Sequence, residues 1–280
     1  MARFNTLNKA LMATALGAVL TSASLAQEAP AWIETDSQRQ GYEIAERSDN
    51  SDNGFGDSRV EARMVLRNAA GQETSRELTF QTLEREDNSV GDKSIVVFQT
   101  PRDVEGTALL SHARILDPDD QWLFLPALAR VRRISSANKS GPFVGSEFAF
   151  EDFTSLELNK YSYDFQGEST IEVAGETLSV DVVERFPLYE NSGYTRQLSY
   201  IDQEVYQIRR VEFFDRRGDL LKTLDLSDYR EYGDGIWRAH SLNMTNHQTN
   251  KSTELLYGDF LFDVGLDEND FVRGVLERAR

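Results

Sequence analysis

Cysteine is absent from this 280-residue chain. Its absence excludes disulfides, zinc–thiolate sites and thiol nucleophiles, and leaves no thiol to carry a lipid anchor behind a leader. Histidine is nearly as scarce, with His112, His240 and His247 the only three. His240 and His247 are seven positions apart, so on one straight strand they face opposite ways and form no metal pair. His112 sits in "HARILDPDD" near acids, but the chain contains neither GxSxG nor HExxH. The three histidines therefore read as structural or surface residues. Positive charge is also in deficit: 30 Lys and Arg against 47 Asp and Glu give a net charge of −17. That balance opposes nucleic acid or anionic membrane as the main partner and suits a solubilising surface. Long apolar runs are missing too. The longest, Ala10 to Leu20, falls short of the roughly 20 residues a spanning helix needs.

That run lies in "MARFNTLNKALMATALGAVLTSASLA", which has a basic start at Arg3 and Lys9 and a small-x-small end at Ser24-Leu25-Ala26. Residues 1–26 read as a secretory signal peptide, with an exported chain beginning near Gln27. Residues 27–280 contain no linker or fixed-period repeat and read as a single domain, long enough to build its own core. "AWIETDSQRQGYEIAERSD" has partial helical spacing and stops at "DNSDNGFGD". From Ser58 the rhythm becomes period two, as in "VEARMVLRN". Further strands are expected near 75–86, 93–100, 107–116, 121–126, 147–152, 157–166, 169–174, 177–186, 194–202, 204–214, 219–230, 236–248 and 253–262. Short connections such as "NAAGQ", "AGE" and "RRGD" suit hairpins, hence an antiparallel meander. The expectation is a mainly β fold: one half-open antiparallel barrel of about 11–13 strands. "LDENDFVRGVLERAR", capped by Asp267, is expected to close it with a short helix. The charged end and scattered acids argue against an outer-membrane barrel.

Little of this points to catalysis. The carboxylates are too numerous to single out a pair, and no catalytic residue, cofactor or metal is assigned. Asp49-x-Ser51-x-Asn53-Gly54 is similar to the start of a calcium loop. Its twelfth position is Val60, however, and a strand follows, so an Asx-rich helix end is the better reading. Arg130, Arg132 and Arg133, with Lys139 beyond, form a local basic cluster in an acidic chain. It could meet a lipid head group or an acidic partner, or pair across strands with nearby acids. The segment "RISSANKSGPFVGSEFAFEDF" places four phenylalanines beside a polar, flexible loop. A catalytic loop, a structural corner and the mouth of an apolar cavity all fit it.

Three blocks carry a family resemblance: "YEIAERSDNSDNGFGDSRVEARMVLRNAAGQETSREL", "GDKSIVVFQTPRDVEGTALLSH" and, most specifically, "DQWLFLPALARVRRISSANKSGPFVGSEFAFEDF". Over most of residues 32–265 the chain resembles the periplasmic outer-membrane lipoprotein-sorting proteins of the LolA/LolB-like group. It is similar to a LolA-like subgroup that includes members associated with resistance–nodulation–division-type exporters. The missing cysteine matches the soluble LolA type and departs from lipid-anchored LolB. The resemblance implies a half-open barrel with helices over its mouth and an apolar cavity for acyl chains. It implies a periplasmic carrier of a lipid or lipidated protein, with an inner-membrane exporter of that type as a further partner.

A carrier needs an apolar lining and an opening, and no catalytic group. Strand alternation proposes Met64, Leu66, Leu110, Trp122, Phe124, Phe143, Phe148, Phe150, Phe213 and Met244 as the lining. On this reading residues 135–146 are a movable gate. Ordinary core packing is the competing explanation for the same aromatics, although a barrel this wide is not easily filled by side chains. A non-carrier adaptor that docks on an exporter is the alternative function, and a hydrolase the third.

Overall fold

The computed structural model describes residues 30–85, 90–115, 117–233 and 235–278. The signal peptide expected over 1–26 lies outside the described residues. From Trp32 onward the chain clusters as one unit, opening with helix α1 (Asp36–Asn50). Thr35 caps the helix. Its hydroxyl accepts from the Gln38 amide at 3.1 Å, and the Gln38 side chain accepts from the Thr35 amide at 3.1 Å. This reciprocal box fixes the helix start, and Asp36 and Arg47 complement the helix dipole at either end.

Fourteen strands follow in a single sheet. They are β1 (Asp57–Arg67), β2 (Glu73–Leu83), β3 (Lys93–Thr100), β4 (Ala108–His112), β5 (Asp120–Leu125) and β6 (Arg130–Arg133); then β7 (Tyr161–Val173), β8 (Glu176–Pro187), β9 (Arg196–Asp202), β10 (Ile208–Phe214), β11 (Leu220–Tyr232), β12 (Ile236–Asn246), β13 (Lys251–Tyr257) and β14 (Leu261–Phe262). The order is β6-β5-β4-β3-β2-β1-β13-β12-β11-β10-β9-β8-β7, with β14 paired to the start of β1. Every pairing is antiparallel. Strands β6 and β7 are edges, so the sheet is an open half-barrel. It must curl strongly. In the flat, β4 and β10 would stand about 34 Å apart, at ~4.8 Å per strand. Yet Leu109 of β4 and Phe213 of β10 belong to one core cluster.

Each edge is protected differently. Helix α1 lies along β7, and buries Ile44 and Ala45 against Tyr161, Tyr163 and Val183. Gly41 makes this possible, because a Cβ there would come within 2.8 Å of the Phe165 amide nitrogen. Edge strand β6 instead carries exposed Arg130, Arg132 and Arg133, charges that discourage pairing with another sheet.

The run "SIVVF" in β3 is buried on both faces. Val96 and Phe98 face the inner cluster. Ile95 and Val97 face outward, where Phe271 and Leu276 of the C-terminal segment cover them. That segment is held by His112 Nε2–H donating to the Phe271 carbonyl at 2.7 Å, and by Arg85 and Lys93 pairing with Glu268.

Four local expectations need correction. The C-terminal segment forms two 3-10 turns (Glu268–Phe271 and Arg273–Val275), although Asp267 does cap the first. Residues 147–152 are not a strand; they lead into a 3-10 turn over Phe150–Phe153. The stretches expected at 157–166 and 169–174 are one strand, β7, with a bulge between Phe165 and Gly167. Strand β6 was not anticipated, because an arginine-rich tetrapeptide carries no apolar alternation.

Candidate ligand chamber

The inner face of the half-barrel has two unlike ends. One end is filled by the phenylalanine-rich segment, which folds into the curl. Phe143 is 0% exposed; its ring lies 4.3 Å from Phe153, 5.5 Å from Phe98 and 5.7 Å from Phe150. The backbone can turn so tightly here because Val144 and Gly145 both take left-handed conformations. Polar anchors then fasten the segment to the strands around it. Arg76 Nη1 donates to the Val144 carbonyl at 2.6 Å, and the Glu147 amide donates to Thr253 Oγ1 at 3.0 Å. Tyr194 Oη donates to Asp152 Oδ1 at 2.8 Å. Buried Lys222 donates to Asp152 Oδ2 at 2.7 Å and to the Glu147 carbonyl at 3.1 Å. So densely tethered a segment is a plug, and the expected movable gate over 135–146 is withdrawn.

The other end is hollow. A cavity of about 1020 Å³ runs from the end of α1 across the inner face, at the upper limit of the roughly 300–1,000 Å³ usual for small-molecule sites. Val60, Phe80, Leu226, Leu242 and Tyr257 give it an apolar wall. Phe80 marks the partition: its ring stacks on Phe153 of the plug at 6.2 Å and meets Tyr257 edge-on at 5.3 Å. Leu156, partly exposed, stands at the opening.

The rim is acidic. Asp49 and Asp52 come from the end of α1, Glu84 and Asp92 from either side of the β2–β3 connection, and Glu157 from the approach to β7. Burial, with Asp52, Asp92 and Glu46 nearby, pushes the Asp49 carboxyl up to about 6. Burial, reinforced by Asp92, pushes Glu157 up to about 7. Asp92 is raised chiefly by burial. Asp52, exposed at the rim, pairs with Arg238. Of the residues that suggested a calcium loop, Ser51 donates its hydroxyl to the Ser48 carbonyl at 2.7 Å, and Gly54 is held through its amide. The Gly54 and Gly56 amides donate to the two oxygens of Glu84 at 2.6 and 2.7 Å, and among the described residues no group of three or more acids or histidines is placed to hold a metal.

The proposed lining residues fall into two groups. Met64, Leu66, Phe143, Phe148, Phe150, Phe213 and Met244 gather in the plugged end. Leu110, Trp122 and Phe124 lie on the opposite face, beneath Phe271 and Leu276. None of the ten borders the hollow end. Strand β5 reads W-L-F-L, apolar on both faces, so alternation alone could not say which face was inside. The chamber wall is the same period-two stripe continued: Val60 is in phase with Met64, Phe80 with Leu78, and Leu242 with Met244. The basic cluster also divides. Arg130, Arg132 and Arg133 are exposed on β6, and Arg133 pairs with Asp120. Lys139 is only 6% exposed; it donates to the Asp119 carbonyl and does not reach the surface beside them. The histidines are structural: His240 accepts from Tyr232 Oη at 2.8 Å and donates through Nδ1 to the Tyr257 carbonyl at 3.0 Å.

An open antiparallel half-barrel with one helix places the chain in the LolA-like class of fold, and the comparisons agree. A family model described as a "-like" uncharacterized protein matches residues 91–278. A Vibrio parahaemolyticus structure, named for an outer membrane lipoprotein-sorting protein domain, is 48% identical, with a TM-score of 0.82, and covers 86% of this chain and 100% of that one. A DUF1329 family protein from Desulfovibrio piger is 29% identical, with a TM-score of 0.79 over the same shares. A LolA superfamily protein from Nitrosomonas europaea shares the fold, at 19% identity and a TM-score of 0.64, over 84% of this chain and 98% of that one. No curated protein matches the sequence. The chain belongs to the LolA-like, outer-membrane lipoprotein-sorting family. The names of these relatives do not mention an exporter, and that partner is not carried further. Among the described residues, no helix is long and apolar enough to cross a membrane.

Proposed function

We propose that the protein is a periplasmic carrier that holds the acyl portion of a lipid or lipidated protein in the hollow end of its half-barrel, without transforming it. The observation that carries this reading is the apolar-walled cavity of about 1020 Å³ beside Phe80, Leu226 and Leu242. The names of the relatives supply its context. Burial of a 16-carbon chain yields about 12 kcal/mol before ordering costs, at roughly 0.8 kcal/mol per CH₂. Part of that must be lost by conformational change at release. The acidic rim suits this role, because it keeps an apolar chamber from adhering to anionic bilayers.

The test is native mass spectrometry of gently purified protein, followed by solvent extraction. A retained lipid that is lost or reduced in Leu226→Trp, which narrows the chamber, supports carriage. Protein that stays empty, both as purified and after incubation with phospholipid vesicles, overturns it.

A further inference from the structure

Behind the chamber, between α1 and strands β8–β9, lies a small recess of about 20 Å³. It shares Ser48, Asp49, Leu156 and Ile208 with the chamber's own lining, and so adjoins it. Most of its wall is apolar, with Ala45, Val183 and Ile201 in contact. Ser48, Asp49, the Tyr163 hydroxyl, Arg185 and Ser199 break that wall, and the last two are underused.

Arg185 of β8 is 7% exposed. Its Nε donates to Gln197 Oε1 at 2.7 Å, and its guanidinium lies 5.1 Å from the centre of the Tyr161 ring. Among the described residues it has no carboxylate within ion-pairing distance; buried Lys160, Arg209 and Lys222 each have one, and buried Lys139 donates to the Asp119 carbonyl. Ser199 of β9 is 2% exposed, and its hydroxyl has no hydrogen-bond partner. Pairing of Arg185 with Gln197 and of Val183 with Ser199 puts both side chains diagonally adjacent on one face. A buried guanidinium with no ion-paired carboxylate, beside a buried hydroxyl with no partner, is costly unless something completes it. A carboxylate complements a guanidinium, and the recess, with room for about one water-sized group, admits one carboxylate oxygen and no bulky head group.

We infer that Arg185 and Ser199 form a head-group site for a carboxylate, and that the cargo of the chamber is a single-chain carboxylate amphiphile of the fatty-acid class, bound head inward with its tail along Phe80 and Leu242. This rests on the carrier reading and narrows it. An Arg185 Nη group and Ser199 Oγ–H donate to the inserted carboxylate oxygen, and Gln197 fixes the guanidinium. Asp49 lines the same recess and opposes the site electrostatically.

The test uses the full chain without its leader, with palmitate, hexadecanol and hexadecyl phosphate competing against an environment-sensitive fluorescent probe. Palmitate is expected to bind roughly 10- to 100-fold tighter than hexadecanol, as for a charge-assisted contact. Arg185→Gln is expected to remove that advantage while leaving hexadecanol unchanged, Arg185→Lys to keep part of it, and Asp49→Asn to raise palmitate affinity several-fold. Equal binding of palmitate and hexadecanol by the unaltered protein overturns the head-group site and leaves the carrier reading standing. Hexadecyl phosphate binding as tightly as palmitate overturns the assignment to a carboxylate. Binding of none of the three overturns both readings.

Discussion

The two ends of the inner face are built from the same strands and the same alternation, yet one is solid and the other hollow. At the solid end Met64, Phe98, Phe213 and Met244 close around Phe143 and Phe148. At the hollow end Val60, Phe80, Leu226 and Leu242 face empty space. The sheet does not make this difference. A single irregular segment between β6 and β7 does, by turning inward at Val144–Gly145 and packing into one end of the concavity. A strongly curled sheet gives an apolar concavity, and the loop decides how much of it remains free.

The largest expected effect falls on the solid end. Phe143→Ala should lower the unfolding free energy by about 3–5 kcal/mol, the range for an aromatic removed from a packed core, measured by urea denaturation. Asp152→Ala leaves Lys222 buried without its carboxylate and should also cost about 3–5 kcal/mol, whereas Asp152→Ala combined with Lys222→Met should recover much of the loss. The hollow end should behave oppositely. Leu226→Trp is expected to change stability by less than about 1.5 kcal/mol while reducing or abolishing lipid retention in native mass spectra. If Phe143→Ala were neutral, or Leu226→Trp severely destabilising, the contrast between the ends would fail.

A smaller effect concerns pH. The carboxyls of Glu157 and Asp49 are raised in the folded state, to about 7 and about 6. The folded protein therefore holds protons that the unfolded chain has released. The stability they contribute is fully present below their ordinary values of 4.5 and 3.8, and it is lost as pH rises toward 7. Melting temperature should accordingly fall between pH 5 and 7.5, and Glu157→Gln with Asp49→Asn should flatten that slope. An unchanged slope would show that the rim carboxylates titrate normally. Smallest of all, Arg132→Glu on the exposed edge strand should shift stability by no more than about 0.5 kcal/mol.

The antiparallel meander could be read from period-two runs and short turns, and the helix start from Thr35 and Gln38. The curl followed from strand number alone. What alternation could not supply was the side on which each apolar stripe lies when both sides are apolar, as in "SIVVF" and "WLFL". Those strands are covered inside by the plug and outside by Phe271 and Leu276, residues far away in sequence. The phenylalanine segment was visible as an anomaly, but its role was not. Val144 in a left-handed conformation has no signature in composition, and the carboxylates that anchor the segment resemble the many solvated ones. Arg185 was missed for a related reason: an arginine on an alternating strand of an acidic protein looks ion-paired until the structure shows no carboxylate within reach of it.

The Phe143 segment also sets a rule for traffic. A tunnel open at both ends could pass its passenger straight through, taking it in from one membrane and discharging it to the other. A pocket sealed at the back has one door. If the protein carries a lipid as proposed, whatever enters beside Leu156 reverses out past the same residue, so donor and acceptor each meet the same face of the protein, one after the other.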